Sequence, residues 1–215
     1  MIVSDSKRFV FVHVPKTAGK SVSAALQPYA AKGVASDLHI HETISEFYQR
    51  VRKQGRKTPF DFRRKSRAKD ASAQYADYFS FGFVRNPWAR AVSSFGYLRK
   101  VDLPETRDLD FDRFIADLDS GAHYLRSILI PRPQIDYFTD YRGDIIVDQI
   151  GKYESLADDF ASICERIGIG LQLEWRNKSD HGSYVDYFDD AKRLVIERIY
   201  ARDIEAFGYR FDDAA

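Results

Sequence analysis

Phe9-Val10-Phe11-Val12-His13-Val14, followed at once by Pro15-Lys16-Thr17-Ala18-Gly19-Lys20-Ser21, decides how this chain is read. The first six residues are β-branched or aromatic apart from His13, and they read as a buried strand. Pro15 to Ser21 form a short turn, and Val22-Ser23-Ala24-Ala25-Leu26 continue it as helix. A strand, a tight turn and a helix start in that order make a place for an anion. The first amides of a helix lack partners within it, and its dipole adds partial positive charge there. Gly19 lets the backbone approach a ligand, and Lys16, Lys20 and Ser21 add donors, so the turn is expected to hold a nucleotide's phosphate.

A second strand, Tyr78-Phe79-Ser80-Phe81-Gly82-Phe83-Val84, runs straight into Arg85-Asn86-Pro87-Trp88-Ala89-Arg90-Ala91-Val92-Ser93. Pro87 suits the first turn of a helix, whose Trp88, Ala91, Val92 and Phe95 recur at core-facing spacing. Arg85 then ends a strand and Ser93 lies on the next helix, at the strand ends where open α/β sheets bind ligands. Asp144 to Ile150 reads as a third strand. Further helices are expected over Phe111–Leu118, over Leu156–Ile167 with Gly168 as stop, and from about Asp189 to Phe207 with Gly208 as stop. In the last helix Leu194, Ile199 and Ile204 are expected to face the core. Strands alternating with helices give an α/β fold, a three-layer parallel sheet flanked by helices on both faces.

At 215 residues, 44% hydrophobic and 14% aromatic, the chain suits one folded domain over 1–215. Lys+Arg 33 against Asp+Glu 32 argues against a general nucleic-acid binder. Ten of those cations lie between Arg50 and Lys69, a basic insert at about 50–70 that reads equally as a solvated connection or as an anion-binding flap. Cys164 stands alone in an apolar helical run and reads as a buried thiol. No signal peptide and no membrane-length apolar run is present, so the expected location is cytoplasmic, membrane-peripheral if the acceptor is lipid-linked. Ser36 to Phe47 contains His39-Ile40-His41, and Thr43-x-x-Glu46 has the form of a capping box. No Cys or His cluster completes a metal site there.

Gly19-Lys20-Ser21 matches the end of a P-loop, and Ile145-Ile146-Val147-Asp148 the apolar run and Asp that position Mg²⁺ in such enzymes. A nucleotide kinase is therefore one reading. The cluster of Arg85 and Ser93 beside the first turn is a feature a kinase does not need, and two such sites suit a nucleotide phosphorylated at both ends of its ribose. Pro15-Lys16-Thr17-Ala18-Gly19-x-Ser21 and Arg85-Asn86-Pro87-Trp88-x-Arg90-x-Val92-Ser93 resemble the two phosphate motifs of the PAPS-dependent sulfotransferases, particularly the carbohydrate 2-O- and 4-O-sulfotransferase group. Gly151-Lys152-Tyr153-Glu154-Ser155-Leu156, Asn177-Lys178-Ser179 and Phe207-Gly208-Tyr209 are also similar to family segments. Lys20 departs from the pattern, where a small residue is usual.

The resemblance implies a P-loop-nucleotide-hydrolase-like fold. It also implies 3′-phosphoadenosine 5′-phosphosulfate (PAPS) as co-substrate, PAP as product, and in-line transfer of a sulfuryl group without a metal. Lys16 would neutralise the departing phosphate. The amides of Thr17, Ala18, Gly19 and Lys20 with the Ser21 hydroxyl would hold the 5′-phosphate, and Arg85 with Ser93 the 3′-phosphate. His41, in a His-x-His like that of related carbohydrate enzymes, is the expected base, with Glu42 and Glu154 as fallbacks and His13 structural. The acceptor is expected to be a carbohydrate, an anionic glycan if the basic stretch contacts it. Phe60, Phe62, Tyr124, Tyr137 and Phe138 would equally serve a phenol or a lipid-linked sugar. A non-catalytic nucleotide-binding module is the third reading. Calorimetry separates the three: PAP binding that survives EDTA is expected, Mg²⁺-dependent ATP binding marks a kinase, and PAP binding without transfer to an acceptor panel marks the module.

Overall fold

The computed structural model describes residues 1–31, 41–54, 75–101, 103–127, 131–173 and 183–212. His39, the stretch from 55 to 74 and Asn177-Lys178-Ser179 lie outside them. One four-stranded sheet holds the fold together: β1 (Ile2–Ser4), β2 (Phe9–Val12), β3 (Phe79–Val84) and β4 (Gln149–Lys152), in that spatial order. β2, β3 and β4 are parallel, with Phe11 opposite Phe81 and Phe81 opposite Gln149. The sheet is nevertheless mixed, not parallel throughout, because β1 pairs antiparallel with β2. That edge strand is only three residues long, too short for its alternation to stand out in the sequence. β4 also begins later than expected. Asp144 to Asp148 are an extended lead-in joined by an isolated bridge between Thr139 and Ile145, and Ile145 is largely exposed.

Alternation along the strands decides which helix packs where. Phe9, Phe11, Phe81 and Phe83 point to one face, where they meet Val22 and Leu26 of α1 (Gly19–Leu26) and Leu156, Phe160, Ile163 and Cys164 of α6 (Leu156–Arg166). Burying each of these rings contributes about 1.5–3 kcal/mol. Cys164 is buried there, and desolvation pushes its thiol up to about 11, as an inert thiol requires. Val10, Val12 and Val84 point to the other face, against α2 (Ile44–Gln54), α3 (Pro87–Leu98), α4 (Phe111–Ser120) and α7 (Asp190–Ile199). A short α5 (His123–Ser127) follows α4. The sheet is thus covered on both sides, as its apolar strands require.

The C-terminal helix differs from its expected form. It breaks at Tyr200 into α7 and α8 (Ala201–Phe207), and α8 ends at Gly208 with φ 65°. Leu194 faces solvent, 62% exposed, while Ile196 is fully buried. Ile199 and Ile204, on either side of the break, do pack against the core as expected, but a step of five residues is about 140° round a helix, so Leu194 cannot share the face of Ile199 within α7. Leu194→Ser is therefore expected to change stability by less than about 0.5 kcal/mol, whereas Ile196→Ala costs about 2–5 kcal/mol, read from urea unfolding midpoints.

Candidate functional site

The turn after β2 is braced from inside. Thr17 Oγ1 donates to the carbonyl of Val14 at 3.0 Å, and Lys16 and Ala18 adopt positive φ of 69° and 62°. The amides of Ser21 and Val22 both bond to the Ala18 carbonyl. Among the described residues, the amides of Thr17, Ala18, Gly19 and Lys20 have no backbone acceptor. Gly19 is required for packing: a Cβ there would lie 1.9 Å from His13 Nε2 and Cδ2. The His13 ring therefore lies directly under the start of α1, the bracing place expected of a structural histidine.

His13 is buried and its Nδ1 has no hydrogen-bond partner. Burial pushes its pKa down to about 3, helped by the neighbouring His41. The His41 ring meets it edge-on at 4.6 Å, and His41 Nδ1 lies 3.2 Å from the His13 carbonyl oxygen. That contact selects the tautomer with a proton on Nδ1, leaving Nε2 with a lone pair. Partial burial lowers the His41 pKa, opposed by this hydrogen bond, so the ring is neutral at pH 7. His41 is held beside the turn by the capping box of α2, in which Thr43 N–H donates to Glu46 at 2.8 Å and Glu46 N–H to Thr43 at 3.0 Å.

Arg85 follows β3 and reaches the same place. Its Nη1 donates to the Lys16 carbonyl at 3.5 Å, its guanidinium lies 4.0 Å from the centre of the Tyr153 ring, and its buried Nε has no partner. The main chain of Arg85 is clamped by the Gln134 side chain, which accepts from its N–H at 2.9 Å and donates to its carbonyl at 2.8 Å. Gln134 is fixed in turn by Asp203 in α8, whose carboxylate accepts from the amides of Gln134 and Ile135. Burial raises the Asp203 pKa, and those two amides oppose it.

α3 connects the two turns through one face. Arg90 donates from Nε to the Pro15 carbonyl at 3.2 Å, and Lys16 Nζ sits 4.6 Å from the centre of the Tyr97 ring. Ser93 lies between Arg90 and Tyr97 at i+3 and i−4, on the face that borders the turn. Lys16 has no carboxylate partner among the described residues. Burial, then Arg85, Lys20 and Lys100, bring its amine down to about 8.

The fallback bases are engaged elsewhere. Glu42 forms a two-pronged pair with Arg50 at 2.8 and 2.9 Å. Glu154 accepts from Asn86 N–H at 2.7 Å and from the Tyr209 hydroxyl at 3.0 Å. Asn86 caps α3 and also donates to the Arg210 carbonyl, while the Tyr184 hydroxyl donates to the Phe211 carbonyl. A clasp of residues 209–211 thus backs the Arg85 turn. Two of the candidate acceptor aromatics, Tyr137 and Phe138, are fully buried, and Tyr124 donates to Asp117. Asp148, the residue a kinase would need beside the loop, is opposite Ser80 and accepts from its N–H and hydroxyl at 2.7 Å. That is four residues from the loop end of β3, about 13 Å away. Among the described residues, no group of three His, Cys, Asp or Glu could hold a metal, and no helix is long and apolar enough to cross a membrane.

Arg90, Tyr97, Gln134 and Asp203 carry the geometry but were given no role from sequence. Arg90 and Tyr97 were detectable in principle, since they share one helical face with Ser93. Gln134 and Asp203 left no local signal, because they act across 49 and 69 residues.

The sulfotransferase family matches residues 1–210. An uncharacterized protein of Archaeoglobus fulgidus is 32% identical over 99 residues, covering 46% of this chain and 75% of that protein. Carbohydrate sulfotransferase 10 of Homo sapiens is 27% identical over 176 residues, covering 63% of this chain and 48% of its own, and that of Pongo abelii is 26% identical with the same coverage. The chain thus spans about half the length of these two relatives. No solved structure matches.

The His13 environment has a consequence for acid stability. An unfolded imidazole takes up a proton near pH 6.5 and the folded one only near 3, so the unfolded state binds more protons between them. The His13 contribution to stability is therefore complete above about pH 6.5 and is lost as the pH drops toward 3, by at most about 1.4 kcal/mol per pH unit. Urea unfolding at pH 6 and 4.5 is expected to show this slope, reduced by about one proton in His13→Phe.

Proposed function

The chain belongs to the sulfotransferase family, and from that premise we propose that it moves a sulfuryl group from PAPS to a hydroxyl of a carbohydrate or glycolipid acceptor. The observation that carries this reading is the joining of two donor-rich turns: Arg85 touches the Lys16 carbonyl, and Arg90 holds the Pro15 carbonyl, so both strand ends open on one place. The residues present suit a doubly phosphorylated nucleotide. Among the described residues, four loop amides without backbone acceptors, a buried Arg85 Nε without a partner and a Lys16 without a carboxylate are donors that suit an anion. The strand–turn–helix unit is read as a P-loop-like turn, and the whole chain as one domain built on it.

In this assignment the amides of Thr17 to Lys20 and the Ser21 hydroxyl hold the 5′-phosphate, and Arg85 and Ser93 the 3′-phosphate. PAPS supplies the activated sulfuryl group. His41 accepts the acceptor's hydroxyl proton at Nε2 as the acceptor oxygen bonds to sulfur. The bond from sulfur to the 5′-phosphate oxygen breaks in the same displacement, and PAP leaves with that electron pair. Lys16 neutralises the charge left on that phosphate, a task for which its ammonium must be protonated. The charge that Mg²⁺ provides in kinases is here provided by Lys16 and Arg85.

Two measurements test the assignment. His41→Ala is expected to keep PAP affinity within about twofold and to lose roughly 100-fold in turnover with ³⁵S-labelled PAPS; unchanged turnover removes His41 from the reaction. Because free Lys16 loses its proton near pH 8, PAP affinity should be full below that pH and weaken above it. Lys16→Arg, which stays protonated, should abolish this dependence.

A further inference from the structure

The cations of the two turns are seated in the same way, each on an aromatic face. Lys16 Nζ lies 4.6 Å from the centre of the Tyr97 ring, and the Arg85 guanidinium 4.0 Å from that of Tyr153. Neither cation has an ion pair with a carboxylate among the described residues. A carboxylate would neutralise the cation and occupy its N–H groups. A ring attracts it through a quadrupole and does neither.

Core packing does not account for Tyr97. Its side chain is 39% exposed and absent from both apolar clusters, whereas Phe95 and Leu98 on the same helix are buried. Tyr97 and Arg90 are seven residues apart on α3, two turns or about 10.5 Å, and share one face. From that face Arg90 donates to the Pro15 carbonyl, and Arg85 Nη1 donates to the next carbonyl, that of Lys16. These bonds hold the main chain while Lys16 keeps a positive φ of 69°, a conformation that L side chains rarely adopt. The start of the side chain is thereby fixed, and its ammonium meets the Tyr97 ring.

We propose that Tyr97 is a positioning residue for Lys16, its ring face seating the ammonium beside the turn and leaving the N–H groups free for the donor's phosphate. The inference rests on the sulfotransferase reading and deepens it. The charged groups that act on Lys16 are Arg85 after β3, Lys20 on α1 and Lys100 after α3, all cations, and burial works in the same direction. Against them stands the negative face of the Tyr97 ring. Without it Lys16 gives up its proton at lower pH, and its long stem is released to many rotamers.

The test is NMR of the full chain with ¹³C at the lysine ε-methylenes, the Lys16 signal being the one lost in Lys16→Arg. Its protons are expected upfield, shifted by the ring current, and the shift should vanish in Tyr97→Leu and persist in Tyr97→Phe. The Lys16 titration midpoint, at about 8, should fall by about half a pH unit in Tyr97→Leu and stay in place in Tyr97→Phe. By calorimetry, Tyr97→Leu should weaken PAP binding by a factor that grows from pH 6.5 to pH 9, where it reaches about threefold. A Lys16 signal without the upfield shift in the unsubstituted chain overturns the proposal, and that measurement needs no variant to fold. A midpoint that Tyr97→Leu leaves in place, or a loss of PAP affinity equal at both pH values, also overturns it. A chain that meets both NMR expectations but does not bind PAP keeps the seat and removes the sulfotransfer reading instead.

Discussion

The guanidinium of Arg90 is buried, and it spans segments far apart in sequence by donating to the carbonyls of Pro15 and Arg132. Its ring neighbour is Tyr200, at the break between α7 and α8. A buried cation is costly unless its donors are satisfied, so this side chain can be accommodated only when β2's turn, the 131–134 loop and the C-terminal helices are all in place. The position of Lys16 relative to Arg85 follows from that condition. So does the clamp on Arg85 by Gln134, because the loop that Arg90 holds at residue 132 delivers Gln134 two residues later.

The site is assembled with positive charge in excess. Burial lowers the readiness of both Lys16 and Arg85 to stay protonated, and the charge of Arg85 lowers that of Lys16 further. Glu154 offsets part of the Arg85 charge from a distance, but Glu42 and Glu154 spend their hydrogen bonds on other partners. An anionic ligand relieves that repulsion, so binding and stability are linked.

Much of this was legible in the chain. Phe9 to Val12 and Phe79 to Val84 declared themselves by aromatic and β-branched runs, α3 by Pro87 and its apolar spacing, and α2 by Thr43 and Glu46. The paired turns followed from those elements. Other parts had no readable signal. β1 is three residues long, and Gly151 in β4 hides a strand behind the more apolar run at 144–147. Leu194 was assigned inward on a five-residue spacing that no helix face repeats. The buried clamp of Asp203 on Gln134 depends on contacts across most of a helical subdomain, which composition and periodicity do not encode. Gly19 was expected to serve close approach of a ligand, and the structure adds an inward reason, the His13 ring beneath it.

The clasp that backs Arg85 has a bearing on the order of synthesis. Glu154, Asn86, Tyr184 and residues 209–211 meet behind the turn, and its final contributors leave the ribosome after every other part of the pocket. A nascent chain can lay down the β2 turn and its helix early, yet the Asn86 amide group lacks its Arg210 acceptor until translation has passed that residue. The Arg85 turn is thus completed late, and the donor-rich loop emerges well before its neighbour has its full set of contacts.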